Sequence, residues 1–345
     1  MIRKYFSGSI FSAVLGLFLA WFIGYYYSQS LSGAIQAVFI CAVLAILEVS
    51  LSFDNAIVNA AILKDMTPLW RHRFLTWGMI IAVFGMRLVF PIAIVSVLGS
   101  MSPWEALRLA TFEPQQYADL MLRSHVQISA FGGAFLMMVC LKYFYNANKE
   151  LHWIRAIEEP AALLGRVEAI ELAITILFVI VLSHYIAPED KLPYIVSALW
   201  GLFVFVMVDG ISAFLEGENA GAGKDLEKAS LGMFLYLEVL DASFSFDGVV
   251  GAFAITNNFY IIMIGLSIGA FFVRSLTIMF VEKNTLGTFD FLEHGAFYAI
   301  GLLASIMLLG PFVHIPEWVT GLSGAIVIGL SLIASIARAK QMQKS

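Results

Sequence analysis

Long apolar stretches alternate with short polar segments along almost the whole chain. Ten of these stretches contain about 20 or more mostly apolar residues, the length that a helix needs to cross a bilayer. The pattern therefore predicts ten membrane-spanning helices. They cover approximately residues 8–28, 34–63, 74–99, 126–144, 167–187, 193–216, 231–256, 259–281, 291–311 and 317–337.

Composition supports a membrane protein. Of the 345 residues, 60% are hydrophobic and only 13% are charged, whereas a soluble domain has about 45–50% apolar and about 25% charged residues. So few charges could not cover a surface in water, which excludes a soluble enzyme. The net charge of −5 argues against a nucleic-acid partner. We expect an all-α polytopic membrane protein that forms a single integral-membrane domain over residues 1–345.

The basic residues predict how the chain is oriented in the membrane. With ten spans, fifteen of the 20 Lys and Arg residues fall on one side and three on the other, while Arg87 and Arg274 lie inside spans. Loops rich in Lys and Arg favour the cytoplasmic side of a membrane. Both termini are therefore expected in the cytoplasm.

An internal repeat is the strongest signal in the sequence. The first motif, residues 47–55 (LEVSLSFDN), and the second motif, residues 240–248 (LDASFSFDG), are identical at five of nine positions. They fall on the second and seventh predicted spans, which cross the membrane in opposite directions, as in the inverted repeats of many secondary transporters. The two repeats are expected at residues 34–145 and 231–311, and an inserted helix pair at 167–216 separates them.

Ionisable residues inside predicted spans are costly, about 2.5–3.5 kcal/mol each on insertion scales. The acids are Glu48, Asp54, Asp209, Glu238, Asp241 and Asp247, and the bases are Arg87 and Arg274. This excess of acids indicates that a bound cation or bound protons balance the charge, as a cation/proton exchanger requires. The structural alternative is a set of salt bridges that only pin helices together. It would join Asp54 to Arg87 and Asp247 to Arg274.

Helical spacing predicts which polar side chains share a face. Each motif helix carries one polar stripe at helical spacing. The stripes contain Glu48, Ser52, Asn55 and Asn59 in the first helix and Glu238, Asp241 and Ser245 in the second. Asp54 and Asp247 lie about 240° around an ideal helix from the first acid of their motif. They could join the same site only if the helix unwinds there.

The ligand types in the motifs indicate the class of ion. The motifs offer carboxylates, hydroxyls and amides, and neither His nor Cys. Oxygen ligands suit hard cations such as Mn²⁺, Mg²⁺ or Ca²⁺ rather than copper or zinc. The residues themselves leave the choice among the three hard cations open.

At these residues the chain resembles the TerC integral-membrane family. The resemblance rests on residues 48–55 (EVSLSFDN) and 241–256 (DASFSFDGVVGAFAIT), on Gly132–Gly133, and on Arg87 and Arg274. It implies kinship with LysE-type exporters and links to manganese efflux and tellurium resistance. The chain departs from the family pattern at Gly248, where serine is usual, and in the inserted helix pair.

The resemblance also implies a set of functional residues. The metal-site residues would be Glu48, Asp54, Asn55, Asp241 and Asp247. From the residues themselves, apart from the resemblance, the expected supporting positions are Ser50, Ser52, Asn59, Arg87, Asp209, Glu238, Ser243, Ser245 and Arg274. The same resemblance places the protein in the inner (plasma) membrane of a bacterial cell as a multi-pass protein.

The sequence thus predicts an exporter of Mn²⁺ or a similar hard divalent cation, with protons as the candidate counter-ion, and not an enzyme. Its expected partners are the lipid bilayer and the divalent cation that it transports, without a prosthetic group or a nucleic acid. The sequence does not decide whether the protein forms a homo-oligomer. The alternative is a non-transporting membrane scaffold or assembly factor in a metal or tellurium stress response.

Overall fold

The computed structural model describes residues 2–216, 223–313 and 315–342. Within these residues the chain folds into helices and contains no strand. In the first half the helices are α1 (Ile2–Tyr5), α2 (Ser7–Ser28), α3 (Leu31–Leu51), α4 (Phe53–Leu63), α5 (Pro68–Arg73), α6 (Phe90–Leu98), α7 (Pro103–Phe112), α8 (Pro114–Arg123) and α9 (His125–Phe144). In the second half they are α10 (Arg155–Leu164), α11 (Ile170–Ser183), α12 (Pro188–Glu216), α13 (Gly223–Ile255), α14 (Phe259–Glu282), α15 (Thr285–Thr288), α16 (Leu292–Leu309) and α17 (Glu317–Met342).

The expected fold class is confirmed: the protein is an all-α polytopic membrane protein. Eight helical segments in the described part of the chain are long and apolar enough to cross a bilayer. They lie on α2, α3, the segment Pro68–Val97, α9, α12, α14, α16 and α17. Each of the ten predicted stretches lies on helix. The count of ten stays a prediction that depends on two further helices, the 14-residue α11 and the acid-bearing α13.

The first motif helix is interrupted in its middle. Helix α3 ends at Leu51, α4 begins at Phe53, and Ser52 between them has φ −104° and ψ 15°. The backbone N–H of Ser52 still donates to the carbonyl of Glu48 at 2.9 Å. The helix is therefore interrupted at a single residue and is not unwound by a turn.

The span after the first motif contains π-helical backbone, which the sequence pattern did not predict. Between α5 and α6 the segments Phe74–Gly78 and Ile81–Val89 are π-helical. A π-helix has a wider turn than an α-helix and occurs frequently at functional sites. Arg87 lies on the second of these segments.

The two motif helices lie between the other spanning helices. Helix α14 packs against α2, α3 and α4, and α9 packs against α12 and α16. Helix α13, which carries the second motif, contacts α3, α4, α9 and α12. Helix α12 approaches α9 so closely that a Cβ atom on Gly201 would lie 2.2 Å from the carbonyl oxygen of Phe131. The predicted inserted helix pair is thus part of the helix bundle.

Candidate functional site

Equivalent positions of the two motifs line one polar cavity of about 50 Å³. Glu48 and Ser52 come from the first motif, and Asp241 and Ser245 are their counterparts in the second. Asn55, Asn59, Arg87, Arg274 and Thr277 complete the polar lining. Since a single water needs only about 10–15 Å³, this central cavity has room for a small ion with part of its hydration shell.

A buried ion pair occupies one side of the central cavity. The guanidinium Nη2 of Arg87 donates to Glu48 Oε1, and both side chains are at most 4% exposed. The hydroxyl of Ser52 donates to the same carboxylate oxygen at 3.3 Å, and Arg87 Nη1 donates to the carbonyl of Ala82 on the π-helical segment. The alternative salt bridge from Asp54 to Arg87 is therefore wrong, because Arg87 pairs with Glu48.

The other carboxylate of the cavity is held by an amide. Asn59 Nδ2 donates to Asp241 Oδ1 at 2.8 Å, which joins α4 to α13. The Oδ1 atoms of Asn59 and Asn55 are buried and have no hydrogen-bond partner in the described part of the chain. Buried polar atoms in folded proteins nearly always have a partner. These two amide oxygens are therefore available to a ligand that carries positive charge or donates hydrogen bonds.

Two glycines make room for Glu48. A Cβ atom on Gly269 of α14 would lie 2.4 Å from Glu48 Cβ and 2.9 Å from the carbonyl oxygen of Ala45. A Cβ atom on Gly248 of α13 would lie 3.2 Å from Glu48 Oε2. A side chain at position 248 would therefore crowd the carboxylate of Glu48, and glycine leaves that space free.

Arg274 and Glu238 have buried polar atoms without a described hydrogen-bond partner, and only Arg274 lines the central cavity. Arg274 lines the cavity, and its Nε has no hydrogen-bond partner among the described residues. Glu238 is not in the lining. Its Oε1 also lacks a described partner and would lie 2.5 Å from a Cβ atom on Gly78.

The structure does not bring Asp54 into the central cavity. Asp54 is 5% exposed and lines a separate small cavity of about 10 Å³ with Ser50, Thr320 and Gly324. Its Oδ1 accepts a hydrogen bond from the backbone N–H of Asn55 at 2.9 Å. The interruption at Ser52 does not unwind the helix by a turn, and Asp54 stays on a different face from Glu48, which lines the central cavity.

The remaining predicted positions fall outside the cavity or outside the described residues. Ser243 is buried and donates to the carbonyl of Val239 at 3.0 Å. Asp209 pairs with Lys142. The side chain of Asp247 is not among those that the structure describes, so neither its predicted ligand role nor its predicted bridge to Arg274 is addressed.

The charges that line the central cavity cancel. The described lining contains two acids, Glu48 and Asp241, and two bases, Arg87 and Arg274. Among the described residues there is also no cluster of three or more His, Cys, Asp or Glu side chains suited to a metal. A cation that binds both acids of this cavity would therefore need the carboxylate of Glu48, which is paired with Arg87 in this conformation.

The fold and the site define a polytopic helical membrane protein with a charged cavity between its spanning helices. Its sequence matches the family described as a protein of unknown function (DUF475) over residues 53–342. The match covers well over half of the chain, so the protein belongs to this family. It includes the second motif and Asp54 and begins after Glu48. No curated protein and no solved structure matches the chain.

Proposed function

We propose that this protein is a membrane transporter that exports a hard divalent cation, with Mn²⁺ as the first candidate, through the central cavity. The observation that carries the proposal is the convergence of Glu48 and Asp241, equivalent acids of the two motifs, beside the unpartnered oxygens of Asn55 and Asn59. The resemblance of the motifs to the TerC family supports the choice of Mn²⁺.

The chemistry of the lining favours a hard cation. The candidate ligands are carboxylate, amide and hydroxyl oxygens from Asp241, Glu48, Asn55, Asn59 and Ser245. Mn²⁺, Mg²⁺ and Ca²⁺ prefer oxygen ligands of this kind, whereas copper and zinc are bound better by His and Cys. The cavity lining in the described residues contains no His or Cys.

Electrostatics suggests how binding is coupled to a conformational change. Arg87 is paired with Glu48, whereas the hydrogen bond that Asp241 accepts from a described side chain comes from Asn59 and not from a base. Release of Arg87 from Glu48 would give the ion a second carboxylate in the cavity. We therefore propose that the ion displaces Arg87 from Glu48, and that the π-helical segment carrying Arg87 moves when this happens.

The repeat supports an alternating-access cycle. Secondary transporters with inverted repeats bind their substrate near the membrane midplane, between the repeats. In this proposal the cavity between α3–α4 and α13 is that site, and protons are the counter-ion. The orientation with both termini in the cytoplasm and the bacterial inner membrane complete the proposal. They follow from the positions of Lys and Arg and from the TerC resemblance.

Ion flux into liposomes that contain the purified protein tests this proposal. Wild type is compared with Asp241→Asn and Glu48→Gln for Mn²⁺, Mg²⁺, Ca²⁺ and Zn²⁺. Asp209→Asn is the matched control, because this acid also lies on a spanning helix but pairs with Lys142 outside the cavity. We expect Mn²⁺ flux in wild type and the control, with at least a tenfold loss in both cavity variants.

Two results would contradict the proposal. Cation flux in Asp241→Asn and Glu48→Gln at the wild-type rate would remove the cavity from the transport path. An absence of flux for all four ions by folded wild-type protein would favour the scaffold alternative.

A further inference from the structure

Helix α10 lies in the connection between α9 and α11, and one buried acid holds it in place. Glu158 is 0% exposed. Its carboxylate accepts hydrogen bonds from Lys149 Nζ at 3.1 Å, from the backbone N–H groups of Trp153 and Ile154 at 3.2 Å and 3.1 Å, and from the Tyr298 hydroxyl at 3.2 Å. The Nε2 of His294 lies 3.4 Å from the same carboxylate.

These contacts fix which face of α10 points inward. Tyr298 and His294 belong to α16. Lys149 lies 3.9 Å above the ring of Tyr143, near the end of α9. Because Glu158 is bound to Tyr298 on α16 and to Lys149 in the connection that follows α9, α10 cannot rotate about its own axis without breaking these hydrogen bonds. The face opposite Glu158 must therefore point away from the helix bundle.

The outward face of α10 is apolar. Ile157 and Leu163 are 56% and 60% exposed, and Leu164 is also exposed. Pro160 is exposed beside them, and positions 157, 160 and 164 follow the i, i+3, i+7 spacing of one helix face. Exposed basic residues, Arg155 and Arg166, flank this face along the chain.

The length of α10 and the residues that follow it indicate which surroundings its apolar face contacts. A helix of ten residues is about 15 Å long, so it is too short to cross a bilayer. Further exposed apolar residues follow α10 along the chain, namely Val167 and, on α11, Leu177 and Ile180. Short helices with one apolar face and basic residues beside it lie in the interfacial layer of membranes.

We propose that the face formed by Ile157, Pro160, Leu163 and Leu164 lies in the interfacial layer of the bilayer, at the boundary between headgroups and acyl chains. Arg155 and Arg166 then contact anionic lipid headgroups, which attract basic residues at the membrane surface. Glu159 lies 4.0 Å from Arg155 and no described acid pairs with Arg166. This inference concerns the lipid surface and does not depend on which ion is transported.

Site-directed spin labelling of the full chain tests the position of the helix. Labels are placed by Ile157→Cys and Leu164→Cys on the apolar face, and Glu159→Cys is the matched control on the charged edge. The natural Cys41 and Cys140 are buried, and wild-type protein gives their background signal. In phosphatidylcholine vesicles we expect the labels at 157 and 164 to be severalfold more accessible to oxygen than to a water-soluble nickel complex. We expect the reverse ratio at 159.

The headgroup contact is tested by adding phosphatidylglycerol to the vesicles. We expect the labels at 157 and 164 to move deeper in otherwise wild-type protein, and this shift to be lost in an Arg155→Gln/Arg166→Gln background. Equal access of the nickel complex to all three labels would overturn the interfacial position.

Spin–spin broadening between labels at position 157 would overturn it as well, because it would show that a second copy of the chain contacts this face. An absence of any phosphatidylglycerol effect would overturn the anionic headgroup contact.

Discussion

Two regions of this protein bury a carboxylate against a basic side chain, and they differ in which neighbouring polar atoms have no hydrogen-bond partner. At Glu158, four hydrogen bonds and the imidazoles of His152 and His294 surround one carboxylate, and the atoms left there without a described partner are the Nδ1 atoms of these two imidazoles. In the central cavity, Glu48 is paired with Arg87, but the neighbouring oxygens of Asn55 and Asn59 have no described partner.

The difference separates a structural use of buried charge from a functional use. A fully bonded carboxylate holds its neighbours in one arrangement, because any movement leaves a buried polar group unpaired. Unpartnered amide oxygens beside an ion pair cost stability, and a ligand that binds them recovers that cost. We therefore expect variants of Glu158 to change mainly stability, and variants of the central cavity to change mainly binding and flux.

The largest stability effect is expected from Glu158→Ala. The substitution leaves the ammonium of Lys149, whose side chain is only 10% exposed, without its carboxylate. Breaking a buried pair in this way costs about 3–5 kcal/mol. Thermal unfolding in detergent should show a large decrease in Tm, while Glu159→Ala, at the exposed neighbouring residue, should leave Tm almost unchanged. Equal Tm values for the two variants would show that the Glu158 contacts are not structural.

A smaller loss is expected from Gly269→Ala, since the new methyl group would lie 2.4 Å from Glu48 Cβ and would also approach the backbone of Ala45. Overpacking of this kind costs about 1–3 kcal/mol. It should also displace Glu48 and reduce ion flux. Gly329→Ala is the matched control, because a Cβ atom there meets nothing within 4 Å. Wild-type flux and Tm in both variants would contradict the close contact between position 269 and Glu48.

The change of stability with pH that Glu158 causes is expected to be smaller still. Burial would raise the pKa of Glu158, but the hydrogen bond from Ile154 and the charge of Lys149 outweigh it and hold the pKa below the usual 4.5. A lowered pKa in the folded state stabilises the protein above pH 4.5, and this contribution disappears as the pH falls through the folded-state pKa. Each pKa unit corresponds to about 1.4 kcal/mol. The Tm difference between wild type and Glu158→Gln should therefore narrow below about pH 4.5, and a constant difference would contradict this assignment.

The smallest effect is expected from Asp209→Asn. Asp209 and Lys142 are both partly exposed, and exposed ion pairs contribute about 0–1 kcal/mol. Tm and ion flux should both stay close to wild type. A large loss of flux without a loss of Tm would give Asp209 a role in transport that its position outside the cavity does not indicate.

Much of the fold could be predicted from the sequence, because an apolar stretch long enough to cross a bilayer has few alternatives to a helix. The apolar stretch at residues 34–63 is too long for one straight crossing, and the structure interrupts the helix there, at Ser52. The π-helical segments could not be predicted, since their backbone depends on packing against other helices.

The site was predictable where it follows helical spacing and unpredictable where it depends on contacts between helices. The stripe Glu48, Ser52, Asn55 and Asn59 lines one cavity, as its spacing indicated. The same spacing separates Asp54 from that stripe, whereas the TerC resemblance groups it with the metal-site residues. The pairing of Arg87 with Glu48 joins residues on different spans, and no local pattern selects Glu48 over Asp54 as its partner.

The most direct test of the central claim is Mn²⁺ binding to the purified protein, compared between wild type, Asp241→Asn and Asp54→Asn. Both substitutions remove one acid of the repeated motifs, but of these two acids only Asp241 lines the central cavity. The account predicts that Asp241→Asn weakens Mn²⁺ binding at least tenfold and that Asp54→Asn binds Mn²⁺ as wild type does. Loss of binding in Asp54→Asn together with wild-type binding in Asp241→Asn would contradict it.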